Sequence, residues 1–294
     1  MSTISFRLAL TGLATGLSLS LSVPSAQAAE GRVIPPQMSW SFSGPFGKFD
    51  RAQLQRGFKV VKEVCANCHS MSLLRIRNLA QPGGPEFTPG QVNALAATYT
   101  VKDGPNDQGE MFDRPGRAAD PFPAPFPNEQ AARAANGGAL PVDLSVIAKA
   151  RTYERGFPQF IFDIFTQYQE QGPDYIHALM TGYKDPPPEG TPPLLPGQYF
   201  NTYMPGHLIA MPKPISDGQV EYPKGADGKS PVPETVDQYG KDVAAFLVWA
   251  AEPHMEARKR TGLQVMVFLL IFGSLLYYTK KKVWARMPDG SAAH

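Results

Sequence analysis

Two cysteines and a histidine at fixed spacing constrain this chain more than anything else in it. Cys65-Ala66-Asn67-Cys68-His69 holds both cysteines of the sequence. Positions 65 and 68 are three apart and His69 is four from Cys65, so on a turn and a half of helix both sulfurs and the imidazole can meet one flat ligand. This is the spacing at which two thiols join a haem while the next imidazole ligates its iron. A zinc site would need two further ligands at suitable spacing, and the remaining histidines, His177, His207, His254 and His294, are scattered. A redox dithiol of the thioredoxin kind would need a strand before the motif. Here a helical pattern runs into it instead: Asp50 is a candidate N-cap, and Leu54, Phe58, Val61, Cys65 and Cys68 follow a helical rhythm.

Each end of the chain carries a hydrophobic segment, and the two differ in kind. Residues 1–28 have Arg7 near the start, an apolar run from Leu8 to Val23 softened by small residues, and Ala26-Gln27-Ala28 as a cleavage pattern. They read as a cleaved signal peptide; the alternative, an N-terminal anchor, is disfavoured by the short run. From Gly262 to Tyr278 there is no charge, and those 17 residues extend about 25 Å as a helix, near the lower limit for crossing a bilayer. Arg258, Lys259 and Arg260 precede the run and Lys280, Lys281 and Lys282 follow it, so basic residues alone do not orient it. The signal peptide does, placing the bulk of the chain outside and the tail inside. Tyr277, Tyr278 and Trp284 suit the membrane interface. The expected organisation is a signal over 1–28, an exported haem domain over 29–257, an anchor helix with its flanks over 258–284, and an inner tail over 285–294.

Divided this way, the net charge of +2 becomes informative. Residues 29–257 hold 20 Lys and Arg against 25 Asp and Glu, a balance of −5. An acidic domain argues against nucleic acid and for a basic partner. Glu110, Asp113 and Asp120 in one loop, and Glu170, Asp174 and Asp185 in another, are candidate docking acids.

Between the ends the pattern predicts an all-α, loop-rich domain in which a haem buried among short helices supplies much of the apolar core. Thr88-Pro89-Gly90-Gln91 is a capping box opening a helix to about Tyr99, and Thr235-Val236-Asp237-Gln238 opens another that Pro253 stops or bends. Short helices are expected over 129–136, 142–150, 159–169 and 174–180. The Gly- and Pro-dense stretches 104–127 and 185–234 are expected to lack regular structure.

Iron with one histidine needs either a second protein ligand, for electron transfer, or an open position, for ligand binding or catalysis. Met204 and Met211 lie in the loop-rich region where the chain could fold over the distal face, and spacing does not separate them. Met38, Met71, Met111, Met180 and Met255 are further candidates.

From about Trp40 to Trp284, nearly all the mature chain, the motif series resembles the cytochrome c1 family, the haem subunit of ubiquinol:cytochrome c reductase, in its bacterial type. The likeness is carried by Val64-Cys65-Ala66-Asn67-Cys68-His69-Ser70, Asp103-Gly104-Pro105-Asn106, Gly109-Glu110-Met111-Phe112 with Arg114-Pro115-Gly116, and the run from Ala131 to Pro141. Leu179-Met180-Thr181-Gly182-Tyr183, Tyr199-Phe200-Asn201 and the run from Phe246 to Pro253 extend it. The resemblance implies one haem c held by Cys65 and Cys68, with His69 and Met211 as iron ligands, because the family's distal Met follows a Pro-Gly pair, here Pro205-Gly206. It implies Arg151 as a haem-propionate partner and Pro141 and Tyr175 as pocket residues. Partners implied are a cytochrome b subunit, a Rieske iron-sulfur subunit and a soluble or tethered cytochrome c, within a dimeric complex in the bilayer of a bacterial inner membrane, the haem domain being periplasmic. The implied function is one-electron transfer from the Rieske subunit to cytochrome c, within quinol oxidation coupled to proton translocation. Residues 152–172 form an insertion relative to the shortest family members, with Phe157, Phe160, Phe162 and Phe165 available to pack at the domain edge or on a neighbour. Two other classes share part of this pattern. A free membrane-anchored monohaem carrier would not co-purify with a cytochrome b, and a gas-binding or catalytic haem protein would bind carbon monoxide readily.

Overall fold

The structure is a computed structural model that describes residues 33–285, apart from 154, 167, 169, 226 and 227, with 164–166 described in backbone only. The expected signal peptide and the expected tail from 286 on lie outside the described residues.

Helix α1 (Arg51–Glu63) starts as its sequence dictates. Extended Asp50 turns its Oδ1 onto the amides of Ala52 and Gln53, at 2.9 and 3.2 Å, which would otherwise lack partners. The α-helix stops at Glu63, however, and Cys65–Asn67 form a 3₁₀ turn. The motif is therefore not a continuation of the helix, yet residues i and i+3 nearly eclipse in a 3₁₀ turn, which keeps Cys65 and Cys68 on one side. After a second 3₁₀ stretch, Ile76–Ala80, comes α2 (Pro89–Ala97), opened by the predicted box: Thr88 Oγ1 accepts from Gln91 N at 3.2 Å and Gln91 Oε1 from Thr88 N at 2.9 Å.

The sequence predicts irregular structure over 104–127, and part of that expectation is overturned. Strands β1 (Thr100–Asp103) and β2 (Phe112–Pro115) pair antiparallel, with Val101 opposite Arg114. Arg114 is the reason the pair holds, because its guanidinium bonds Asp103 across the ladder and reaches Asp120 through two contacts of 2.7 and 3.0 Å. Helices α3 (Glu129–Ala135), α4 (Ile147–Ala150), α5 (Gln159–Thr166) and α6 (Gln171–Thr181) follow. A short ladder of β3 (Tyr199–Phe200) with β4 (Leu208–Ile209) interrupts the second loop region. Then come α7 (Val236–Ala251) and α8 (Met255–Trp284). The class is as expected, mostly helical and loop-rich, with two small ladders added.

The core is built on α7. Its residues Val243, Phe246, Leu247 and Trp249 are buried between α1 and α6. Gly57 on α1 makes the first contact possible: a Cβ there would lie 2.0 Å from the Asp242 carbonyl oxygen, so the two backbones can approach only at glycine. Phe58 then meets Phe246 with ring centroids 5.6 Å apart. The chain that carries the Cys-Cys-His segment is thus packed directly on the helix that leads into α8.

Helix α8 spans 30 residues and is, among the described residues, the one helix long and apolar enough to cross a membrane. Its first turns are clasped by the domain. Glu256 accepts from Arg51 at 2.8 and 3.0 Å and from the Phe49 amide at 2.9 Å, and Lys259 Nζ donates to the carbonyls of Phe42 and Gly44, both at 2.6 Å.

Candidate haem site

The imidazole of His69 is oriented by its neighbour in space, not in sequence. Its Nδ1 lies 2.7 Å from the Val142 carbonyl oxygen. A carbonyl oxygen only accepts, so Nδ1 carries the proton and Nε2 keeps the lone pair a metal needs. The Pro141–Ser145 segment is locked in place by Asp143. One carboxylate oxygen accepts from Ser70 Oγ at 2.8 Å and Ser72 N at 2.9 Å, and the other from Ser145 N at 2.8 Å. Leu144 N also bonds the Ser70 carbonyl at 2.8 Å. Burial opposes the Asp143 charge, but the bonds from Ser145 and Ser72 outweigh it and bring its pKa down to about 2. The sequence predicts a helix over 142–150. The structure starts α4 only at Ile147, because 142–145 are committed to the residues around His69.

Cys65 is half-buried and Cys68 exposed, and burial pushes the Cys65 thiol up to about 12. Such a place tolerates a neutral sulfur and disfavours a thiolate. Leu73, Val142 and Val146, on the segments around His69, are exposed apolar side chains, a surface suited to the apolar face of a large planar ligand. Among the described residues no group of three or more His, Cys, Asp or Glu could hold a metal ion. Two thiols and an imidazole on one turn fit a haem, the sulfurs suiting attachment and the imidazole the iron.

Of the two candidate methionines, Met204 lies in the connection between β3 and β4 and Met211 just after β4, and their contacts differ. The Tyr175 hydroxyl donates to Met204 Sδ at 3.6 Å, within the range of a weak sulfur contact. At Met211 it is the backbone that is held, its carbonyl accepting from the Tyr183 hydroxyl at 3.1 Å. Buried Asn201 fixes the start of the loop, accepting from Tyr203 N at 3.0 Å and Met204 N at 3.3 Å while donating to the Leu179 carbonyl at 2.7 Å. Tyr175 is thus tied to Met204, and Pro141 is brought beside His69 through Val142. Arg151 caps the C-terminus of α4, exposed and without an ion pair to any described residue.

Sequence reasoning missed Val142 and Asp143. A backbone carbonyl leaves no residue-type signal, and the helix expected over 142–150 makes Asp143 a first-turn residue with no tie to the motif. It also misplaced three docking candidates: Asp174 and Glu170 are buried, and Asp120 is bound by Arg114. Asp174 instead accepts from Trp40 Nε1 at 2.7 Å, Met38 N at 3.1 Å and the Tyr168 hydroxyl.

A Cys-x-x-Cys-His turn with an oriented imidazole, on a mostly helical, loop-rich domain carrying one long apolar C-terminal helix, defines a membrane-anchored c-type cytochrome. Residues 40–287 match the Cytochrome C1 family. The chain is 62% identical over 273 residues to "Cytochrome b/c1" of Bradyrhizobium diazoefficiens, covering 93% of this chain and 39% of that longer protein. It is 50% identical to "Cytochrome c1" of Blastochloris viridis, covering 92% of this chain and 93% of that one. With a mitochondrial cytochrome c1 of Arabidopsis thaliana it shares 44% identity over 91% of this chain and 78% of the other. The chain belongs to the cytochrome c1 family, whose members are the electron-transferring haem subunit of the respiratory bc1 complex, alongside cytochrome b and the Rieske protein.

Proposed function

We propose that this chain takes single electrons from the Rieske iron-sulfur subunit and passes them to a soluble or membrane-tethered cytochrome c, as the cytochrome c1 of a dimeric bc1 complex whose quinol oxidation is coupled to proton translocation. Cys65 and Cys68 hold one haem c through thioethers, and His69 and Met211 ligate its iron. The bound group supplies a one-electron Fe(III)/Fe(II) change, and a His/Met ligand pair sets it at a high potential. The chain's own residues supply orientation. The Val142 carbonyl fixes the His69 tautomer, Asp143 fixes Val142, and Tyr183 holds the backbone of Met211, leaving Met204 to Tyr175 as a packing residue. Arg151, exposed at the end of α4 and without an ion pair to any described residue, pairs with a propionate, and Pro141 and Tyr175 line the pocket. In this reading 1–28 is removed on export, 29–257 is periplasmic, 258–284 anchors the chain in a bacterial inner membrane and 285–294 is cytoplasmic.

The observation that carries the proposal is the 2.7 Å bond from His69 Nδ1 to Val142, made beside two cysteines kept on one side of a 3₁₀ turn. Replacing Cys65 and Cys68 together by Ser should abolish covalent haem staining on a denaturing gel, and detergent-extracted wild-type chain should co-purify with b-type haem and a Rieske centre. Staining that survives the double replacement, or a chain that purifies without b haem, would refute it.

A further inference from the structure

Five large apolar side chains are exposed on two neighbouring segments of the domain: Phe46 (73%), Phe157 (78%), Phe160 (53%), Ile161 (36%) and Phe162 (61%). Their position relative to α8 says what covers them. Phe46 lies in the loop from Phe42 to Phe49, and that loop is fastened to the base of α8 at both ends, by Lys259 on the Phe42 and Gly44 carbonyls and by Glu256 on the Phe49 amide. Lys259 is three residues before Gly262, where the uncharged run begins, a rise of about 4.5 Å along the helix axis. The loop therefore stands where α8 leaves the aqueous phase. The α5 segment is its neighbour, since Ser43 and Gly44 of the loop line one cavity together with Arg155, Phe162, Asp163 and Tyr168.

The segment is also braced by paired charges. Arg155 pairs with Asp163 at 2.7 Å and lies 4.4 Å over the Tyr168 ring, whose hydroxyl is tied to buried Asp174. Four exposed apolar residues of α5 and its approach thus stand beside the loop clasped by α8, on a support in which Arg155 and Asp163 are paired with each other. A water-facing surface gains nothing from such a patch, whereas the headgroup and acyl boundary of a bilayer absorbs it.

We propose that Phe46 and the Phe157–Phe162 segment form a second membrane contact, an interfacial foot that dips into the lipid beside α8 and fixes the tilt of the domain over the bilayer. The occupant is lipid, because the patch is continuous with the point where the anchor enters the membrane. The proposal rests on α8 as a span, and its test separates the two.

In the purified complex reconstituted in phosphatidylcholine vesicles, Phe46→Cys and Phe160→Cys would each carry an environment-sensitive fluorophore. Asp107→Cys would serve as an aqueous reference, and Phe268→Cys and Ser274→Cys as anchor references on different faces of α8. Quenching by nitroxide-bearing lipids, a shallow one for positions 46, 107 and 160 and a deep one for positions 268 and 274, is compared with quenching by iodide. The foot predicts a lipid-to-iodide quenching ratio at 46 and 160 several-fold above that at 107. Iodide quenching like that at 107 would show the patch facing water, and quenching by neither agent would show it covered by protein; either overturns the foot while lipid quenching at 268 or 274 leaves the anchor standing. Absence of lipid quenching at both anchor positions as well would overturn anchor and foot together.

Discussion

Arg56 and Asp242 form a two-point ion pair, Nε to Oδ2 at 2.9 Å and Nη2 to Oδ1 at 3.1 Å, that joins the helix entering the Cys-Cys-His turn to the helix entering the anchor. Asp242 is fully buried, and its oxygens also accept from the Tyr222 hydroxyl at 2.8 Å and Gln238 Nε2 at 2.9 Å. Removing only the cation strands a buried charge, so Arg56→Met should cost about 3 kcal/mol or more. Adding Asp242→Leu should recover part of that loss and no more, because Tyr222 and Gln238 then lose their acceptor. Thermal unfolding of the detergent-solubilised chain measures both variants; an Arg56→Met protein as stable as wild type would show that the pair does not bind the two helices.

The methionine assignment makes opposite predictions for two residues seven positions apart. Met211→Leu should lower the midpoint potential by more than about 59 mV, the shift for a tenfold change in a one-electron equilibrium, and should let the reduced protein bind carbon monoxide. Met204→Leu should do neither, since its sulfur is turned to Tyr175. Redox titration and a carbon monoxide difference spectrum decide between them, and the reverse pattern would transfer the ligand role to Met204.

Asp143 gives a pH signature. Its folded pKa of about 2 lies below the ordinary 3.8, so the native state binds fewer protons there than the unfolded chain. The sign follows: its contribution is fully present above about pH 4 and is lost as pH falls through about 2. Asp143→Ala should therefore flatten the stability profile between those values and lower stability at neutral pH by about 2 kcal/mol, as expected for lost hydrogen bonds to a charged group. An unchanged acid limb in the variant would show that the Ser70, Ser72 and Ser145 contacts do not hold the segment behind His69.

What was legible in the sequence is what short range determines. Asp50 and Thr88 cap their helices because each reaches amides two or three residues on, a relation visible in any one turn of chain. The haem motif is equally local. What escaped depends on partners far apart: Val142 meets His69 across 73 residues, Trp40 meets Asp174 across 134, and Asp174 therefore looked like a surface acid when it is a buried acceptor. The β1–β2 pair escaped for a related reason, since four-residue strands rich in charge carry no alternation, and Arg114 ties them through a contact eleven residues back. The insertion's phenylalanines were legible as apolar but not as a surface; Phe157 and Phe160 acquire meaning only from where α8 begins, and the side chain of Phe165 lies outside the described residues.

With a balance of −5 over residues 29–257, the domain should steer a basic cytochrome c by long-range attraction. Of the six candidate docking acids, Glu110, Asp113 and Asp185 are exposed, and Lys102 lies 3.3 Å from Asp113 in a solvent-facing pair that salt will weaken. At about 0.15 M ionic strength the Debye length is only about 8 Å, so the second-order rate of electron transfer to a basic cytochrome c should fall steeply between low salt and about 0.2 M while the quinol-side reaction scarcely changes. Glu110→Gln with Asp185→Asn should reduce the rate at low salt and flatten its salt dependence, whereas Asp120→Asn, whose acid is engaged by Arg114, should leave that dependence as it is in the wild type. Stopped-flow oxidation of the reduced complex across a salt series measures all three. A flat wild-type profile would remove charge from the docking step and point to an acceptor that is tethered or docks on apolar surface.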